Sequence, residues 1–138
     1  MPIVYNAELI EEGKTYRVMH CDYAFNQPIT ETGRPNGRVF GGLINLEVET
    51  SGDITFIQWM VEHHLTKRGE LHFRSRRTGM REKSIEFEDA YVVNYFESYN
   101  DHDTNPMTER IVISALKMTI TTYGDSPGTV MTINDWPV

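Results

Sequence analysis

The 138-residue sequence contains one cysteine, Cys21, so no intrachain disulfide can form and a four-cysteine zinc site is excluded. Folding in a reducing compartment follows from that scarcity. Positive charge is also short: 13 Lys and Arg stand against 20 Asp and Glu, a formal net charge of -7. A diffuse nucleic-acid-binding surface carries the opposite sign, so no nucleic-acid partner is expected. No stretch approaches the ~20 apolar residues of a membrane span, and no membrane insertion is expected. The start, Met1-Pro2-Ile3-Val4-Tyr5-Asn6-Ala7-Glu8, lacks the basic residues and apolar run of a secretory signal peptide. A protein of this kind that leaves the cell uses a route that reads no N-terminal signal. The chain also has no P-loop, dinucleotide fingerprint, nucleophile elbow or paired-His zinc helix. By elimination, a binding or assembly role is favoured over an enzyme, with no metal and no cofactor.

What is present is period-two alternation over the length of a single domain, residues 1–138. Ile3, Tyr5, Ala7 and Leu9 alternate with Val4, Asn6, Glu8 and Ile10. Glu11-Glu12-Gly13-Lys14 is a turn signal, and Tyr16 and Val18 resume the alternation, which predicts a hairpin. Apolar parity then shifts to Cys21, Tyr23 and Phe25, which predicts a β-bulge near Met19-His20. Residues 26–42 carry turn chemistry throughout: Gln27-Pro28, Thr32-Gly33, Arg34-Pro35, Asn36-Gly37 and Gly41-Gly42. A connection that long is uncommon in a small domain and is commonly functional. Ile44, Leu46 and Val48 mark a third strand. Further strands follow around Leu71 and Phe73, from Ile85 to Phe96 and from Ile111 to Ile120, and an apolar tail runs from Val130 to Val138.

One segment breaks the alternation. From Asp53 to Glu62, Ile54, Ile57 and Val61 fall on one helical stripe, and Phe56, Trp59 and Met60 widen it. Asp53 or Ser51 can cap its start. A helix apolar nearly all round is expected to face the strands on one side and a partner subunit on the other. The architecture expected is mainly β: six or seven strands forming a small antiparallel β-barrel of two packed sheets, with one α-helix. Apolar residues on both strand parities give surplus apolar surface, which argues for oligomerisation.

The chemistry-bearing residues point to structural roles. His63 and His64 are adjacent at a helix end, where a cationic His suits the macrodipole and the two rings point apart. In His20-Cys21-Asp22, strand geometry puts His20 and Asp22 on one face and Cys21 on the other, a buried thiol. Glu86 and Glu88 share a strand face, and Asp101-His102-Asp103-Thr104-Asn105 lacks EF-hand spacing. Arg74, Arg76, Arg77, Arg81 and Lys83 form the only basic cluster, a turn placed to meet Glu and Asp of a neighbouring subunit.

An ordered set of segments resembles a known family. Cys21-Asp22-Tyr23-Ala24-Phe25-Asn26-Gln27-Pro28, then Gly33-Arg34-Pro35 and Gly41-Gly42, are similar to the tube protein of type VI secretion systems, the Hcp or TssD family, in its divergent branch. The likeness continues through 44–51, the helix with Trp59-Met60, Phe87-Glu88-Asp89-Ala90-Tyr91-Val92-Val93, Asn105-Pro106-Met107, Ile113-Ser114-Ala115 and Asn134-Asp135-Trp136-Pro137. The resemblance implies a β-barrel with an attached helix, akin to phage tail-tube proteins, and no catalytic motif. It implies hexameric rings that stack into a hollow tube, with sheath, spike, baseplate and effector proteins as partners. It also implies a bacterial cytoplasmic protein exported without a signal peptide. The segment from Gln27 and Pro28 through Gly33, Arg34 and Pro35 to Gly41 and Gly42 resembles the family's ring-stacking loop. Phe56, Trp59, Met60, Arg76, Arg77 and Arg81 are the expected subunit interface. Six copies at -7 each carry a formal charge of -42, so stacking is expected to depend on salt and on local pairing with the basic turn.

Three other readings stay open. The tail-tube protein of a phage or of an extracellular contractile injection particle would share fold and ring. A monomeric carbohydrate- or lipid-binding barrel would use Tyr91, Tyr95, Phe96 and Tyr99 as an aromatic pocket. A small hydrolase using Glu86, Glu88 and His72 ranks last, for want of an orienting partner at a recognisable spacing.

Overall fold

The computed structural model describes residues 5–35, 37, 39–50, 52–62, 65–102, 104, 106–124 and 126–133. Seven strands and one helix follow in the order β1 (Tyr5–Glu11), β2 (Lys14–Tyr23), β3 (Leu43–Glu49), α1 (Thr55–Val61), β4 (Lys67–Ser75), β5 (Arg81–Tyr99), β6 (Met107–Thr122) and β7 (Gly128–Ile133). Each pairing is antiparallel, and the lateral order is β3-β2-β1-β4-β5-β6-β7. A further pairing of β3 with β6 closes six strands into a barrel. The two layers expected from the alternation are two walls of this one continuous sheet. One edge of β6 is shared: Thr108–Ser114 pairs with β3, and Lys117–Thr122 pairs with β7. The last strand thus lies outside the closed barrel as an extension of its wall.

The inward residues are those that the alternation marks. Leu9, Tyr16, Val18, Ile44, Leu46, Val48, Leu71, Ile85, Phe87, Ile111 and Ile113 are all buried. The expected hairpin forms around a tight turn at Glu12-Gly13, and the expected bulge falls at Met19, where the β2–β3 register slips between Val18 and His20. Three further irregularities lie in β5, one of them near its start, where Phe73 and Arg74 of β4 pair with Lys83 and Arg81 and leave Glu82 between. A second falls between Val92 and Asn94, and the third lies opposite Lys67 and Gly69, near Asp89, whose φ is 50°. Bulges bend and twist a strand, which lets a 19-residue β5 serve two parts of a small barrel. The basic turn is shorter than its composition suggests, because Arg81, Glu82 and Lys83 already belong to β5.

Helix α1 sits at the end of the barrel where β2 begins, β3 ends and β4 begins. Lys14 Nζ donates to Thr55 Oγ1 (3.0 Å), Tyr16 OH donates to Asp53 Oδ2 (3.2 Å), and the Tyr16 and Phe56 rings lie 4.7 Å apart. Lys67 Nζ lies 5.7 Å from the Trp59 ring centre. The N-cap position is Ile54, with no side-chain cap bond; Asp53 Oδ1 instead accepts from the Thr55 N–H (3.1 Å). Ser51, His63, His64 and the segment 134–138 with Trp136 lie outside the described residues.

Candidate assembly surfaces

The long connection between β2 and β3 is an arm with a sparse hairpin of its own. Asn26 and Phe40 exchange backbone hydrogen bonds of 2.9 and 2.7 Å at its base. Thr30 N–H donates to the Arg34 carbonyl (2.8 Å) and Gly33 N–H to the Thr30 carbonyl (2.9 Å) at its tip, next to a bridge between Ile29 and Pro35. Gly33 turns the tip with φ of 88°, a conformation that glycine adopts at little cost. Gly41 is required for a different reason: a side chain there would run into the Phe25 ring. Gln27, Pro28, Gly33, Arg34 and Pro35 are all exposed, while Gly42, at the root beside β3, is buried. The Gly42 carbonyl accepts from Ala115 N–H (2.7 Å), which anchors the arm to β6.

The helix divides differently from the sequence expectation. Phe56 and Trp59 are core residues: both are buried, and Trp59 Nε1 donates to the Ala90 carbonyl (3.0 Å) with its ring stacked 6.5 Å from Phe87. They are filled by their own barrel and cannot serve as a subunit contact. The residues turned outward are Met60, as expected, and the stripe Ile54, Ile57 and Val61. The all-round apolar pattern did not say which side faces the strands, because both sides are equally apolar.

The basic turn joins β4 to β5 at the barrel end away from α1. Arg76 Nε donates to Asn6 Oδ1 (2.8 Å), and Arg77 bonds through its backbone N–H to Ser75 Oγ (3.2 Å) with its side chain exposed. Arg81 reaches Tyr123 within its own chain: its Nη1 lies 3.3 Å from Tyr123 OH and its guanidinium 5.4 Å from that ring's centre. Hydrogen bonds from Ser84 and then from Arg81 hold the Tyr123 hydroxyl below its usual range. Beside this turn the barrel interior opens as a recess of about 490 Å³ lined by Tyr5, Cys21, Tyr23, Phe73, Lys83 and Thr122.

The remaining chemistry-bearing residues are placed as wall residues. His20 Nε2 and Asp22 Oδ2 are 2.7 Å apart, Asn45 Nδ2 donates to Asp22 Oδ1 (2.7 Å), and Cys21 lies on the opposite face. Cys21 is half-buried, and burial, with Asp22 beside it, pushes its thiol up to about 11, which disfavours the thiolate at neutral pH. Glu86 faces Glu70 directly across β4–β5, and burial, then its contact with Glu70, raises the Glu86 carboxyl. His72, buried on the same outer wall, meets Glu70 at 2.9 Å. That carboxylate pairing was invisible in sequence because it needs the β4–β5 register. The four aromatic residues of β5 do not converge. Tyr91 and Phe96 stand opposite Ser114 and Arg110 on one face, and Tyr95 and Tyr99 opposite Ile111 and Met107 on the other. The bulge at Val93 splits them, so they form no common pocket.

The chain matches the family model described as hemolysin coregulated protein Hcp (TssD) over residues 4–126. Among solved structures, Hcp1 from Flavobacterium johnsoniae is similar at 32% identity with a TM-score of 0.81, covering 94% of this chain and 99% of that one. Hcp1 from Salmonella typhimurium shares the fold at 13% identity and a TM-score of 0.76, covering 95% of each chain. The secreted protein Hcp3 from Pseudomonas aeruginosa shares it at 12% identity and 0.61, covering 98% and 100%. No curated protein sequence matches this chain.

Proposed function

Because the chain belongs to the Hcp (TssD) family, a structural and not an enzymatic family, we propose that it is the inner-tube subunit of a type VI secretion system. Six copies close a ring, rings stack head to tail into a hollow tube, and the lumen carries or stabilises effectors. Sheath, spike and baseplate proteins are its partners in the apparatus. The chain starts in the bacterial cytoplasm and leaves with the tube through the secretion apparatus. The observation that carries this reading is the match to a solved Hcp1 over nearly the whole of both chains.

Physical features of this chain support an assembling part over a free monomer. The β7 strand pairs on one side only among the described residues, and an unpaired edge invites a strand from another copy. Met60 and the arm residues Gln27, Pro28, Gly33, Arg34, Pro35, Gly41 and Gly42 belong to subunit contacts in this reading, as do Arg76, Arg77 and Arg81 of the basic corner. A ring buries unpaired edges laterally, and an unlike end-to-end contact does not close and so extends as a filament.

The mass of the purified chain tests the reading. Light scattering is expected to give about 96 kDa, six times 16.0 kDa, with ring-shaped particles in negative stain. A 16.0 kDa monomer at all salt and protein concentrations overturns it.

A further inference from the structure

We propose that the open end of the barrel binds a small amphipathic carboxylate, with Tyr5, Tyr23 and Phe73 around its apolar part and Lys83 at its charged end. The site belongs to one subunit and does not depend on the tube reading. It arises where the strands part. The β1–β2 pairing stops at Ala7 and Val18. Past that point Tyr5 stays paired with β4, and Cys21 and Tyr23 with β3. The bulge at Met19 turns Cys21 and Tyr23 inward, opposite the buried Leu46 and Ile44. Without that extra residue the polar His20 and Asp22 would face the interior.

The recess has an apolar floor, aromatic walls and one cation. Leu9, Leu71, Ile85 and Ile120 pair in turn across β1, β4, β5 and β6 and form the floor. One layer nearer the opening, the matching row is Ala7, Phe73, Lys83 and Thr122. Ala7 and Cys21 are the small side chains of this layer, and about 490 Å³ stays open between the rings of Tyr5, Tyr23 and Phe73. Small-molecule sites have volumes of this order, are mostly apolar with a few placed polar groups, and favour the mouths of barrels. Apolar ligand surface entering here leaves water together with the three rings.

Lys83 separates a carboxylate site from a plain apolar hole. Its Nζ lies 5.8 Å from the centre of the Tyr23 ring, on the wall across the opening. Lys14, Lys67, Arg74, Arg110 and Lys117 each meet a carboxylate of their own chain. No carboxylate among the described residues lies within ion-pair distance of Lys83 Nζ. Glu82 borders the recess as the extra residue of the β5 irregularity, and its backbone carbonyl accepts from Tyr123 N–H (3.1 Å). The groove that continues past Tyr5 and Cys21 holds Glu8, Arg17, His20 and Arg76. Arg74 takes Glu8 (2.9 Å), Arg17 lies 3.4 Å from Glu49, His20 lies 2.7 Å from Asp22, and Arg76 bonds the neutral Asn6. Lys83 and Arg76 therefore give this end a positive field on a chain of net charge -7. A single ammonium between aromatic rings matches a monoanion, which gains a charge-assisted bond away from bulk water.

Cys21 is the only thiol of the chain and lines the recess, so it reports occupancy directly. The full chain is treated with dithiodipyridine in the presence of phenylpropanoate, decanoate or the neutral phenylpropanamide, and release of thiopyridone is followed. Both carboxylates are expected to slow the reaction saturably, and the amide to need roughly tenfold more for the same effect. Lys83→Met is expected to abolish that preference, and Lys83→Arg to keep it. Isothermal titration calorimetry with the same probes, on the wild type and on Cys21→Ser, is expected to rank them alike without any thiol chemistry. Equal binding of acid and amide to the wild type overturns the inference, whether or not the Lys83 variants fold. So does a folded Lys83→Met chain that keeps the preference, or the absence of both protection and heat at millimolar probe. A thiol rate that falls with protein concentration alone assigns the recess to a neighbouring copy and overturns it as well.

Discussion

Trp59 Nε1 donates a 3.0 Å hydrogen bond to the carbonyl of Ala90, a residue 31 positions further along the chain. That bond lies next to the β5 irregularity at Asp89, where the β4 register slips between Lys67 and Gly69. The indole therefore meets a carbonyl beside the bulge and fixes α1 to the barrel at the same place. Trp59→Ala is expected to cost about 3–5 kcal/mol, from lost burial and an orphaned carbonyl. Trp59→Phe keeps most of the packing and is expected to cost about 1 kcal/mol for the bond alone. Chemical denaturation with matched m-values checks both. Equal losses for Phe and Ala would show that the bond, not the ring, holds the helix.

Below the same indole, Lys67 Nζ lies 2.9 Å from Glu11 Oε1 and 3.7 Å from Glu12 Oε2. Glu11 is 1% exposed, and its second oxygen has no hydrogen-bond partner. Burial alone would lower the Lys67 ammonium, but the bond and charge of Glu11, with Glu12, outweigh it and hold the group above its usual range. A raised lysine gives stability that is complete below its unfolded value and is lost as pH rises through the folded one. The pair's support should therefore fade only in strong alkali. Lys67→Met strands a buried carboxylate and is expected to cost about 3–5 kcal/mol at pH 7. The double change Lys67→Met with Glu11→Leu is expected to recover most of that loss. Thermal melts of the three variants measure it; an unrecovered double variant would mean that the pair has a role beyond mutual neutralisation.

Two glutamates have the opposite economy. Burial first, then Glu70, raises Glu86 on the outer wall. Burial also raises Glu109 inside the barrel, where Glu97 and Asp53 add to the shift and a bond to Tyr95 opposes it. A raised carboxyl favours the folded state while protonated, so its contribution is present in acid and lost as pH rises through the folded value. Glu86→Gln and Glu109→Gln are therefore expected to raise the melting temperature at pH 7–8 and to change it little near pH 4. Melting curves across that range read the slope. A Gln variant that loses stability at neutral pH would show that the ionised form is held by a partner.

Strand number, the first hairpin and its bulge, the long connection and the helix were legible because local pattern sets them. Alternation marks inward residues such as Leu9 and Ile44 wherever one face is buried, and turn chemistry marks Gly13 and residues 26–42. A barrel was expected, but which strands close it was not legible, since the pairing of Leu43 with Ser114 joins residues far apart in sequence. The slip at Val93 in β5 was missed because the run from Ala90 to Phe96 is apolar on both parities, and a parity slip leaves no trace in such a run. The same cause hid the separation of Tyr91 and Phe96 from Tyr95 and Tyr99. On α1, uniform apolarity concealed that Phe56 and Trp59 turn inward while Ile54 and Val61 turn out.

Salt separates two accounts of stacking. From net charge alone, rings of like sign repel, and added salt should promote tubes by screening them. Ion pairs between unlike ends act the other way: Arg34, Arg76 and Arg77 are exposed at the barrel end that bears the long connection, and Glu12 and Glu62 at the end that bears α1, and attraction between such exposed charges is screened over about 8 Å at 0.15 M ionic strength. Raising salt from ~0.05 M to ~0.5 M is therefore expected to shorten tubes while leaving the ring mass unchanged, because screening acts most strongly on exposed charge pairs. Sedimentation of the ring and tube fractions across the series measures it. Arg34→Glu should remove most of the salt dependence along with the tubes. Tubes that lengthen with salt would show that repulsion between whole rings, not attraction between their ends, sets the balance.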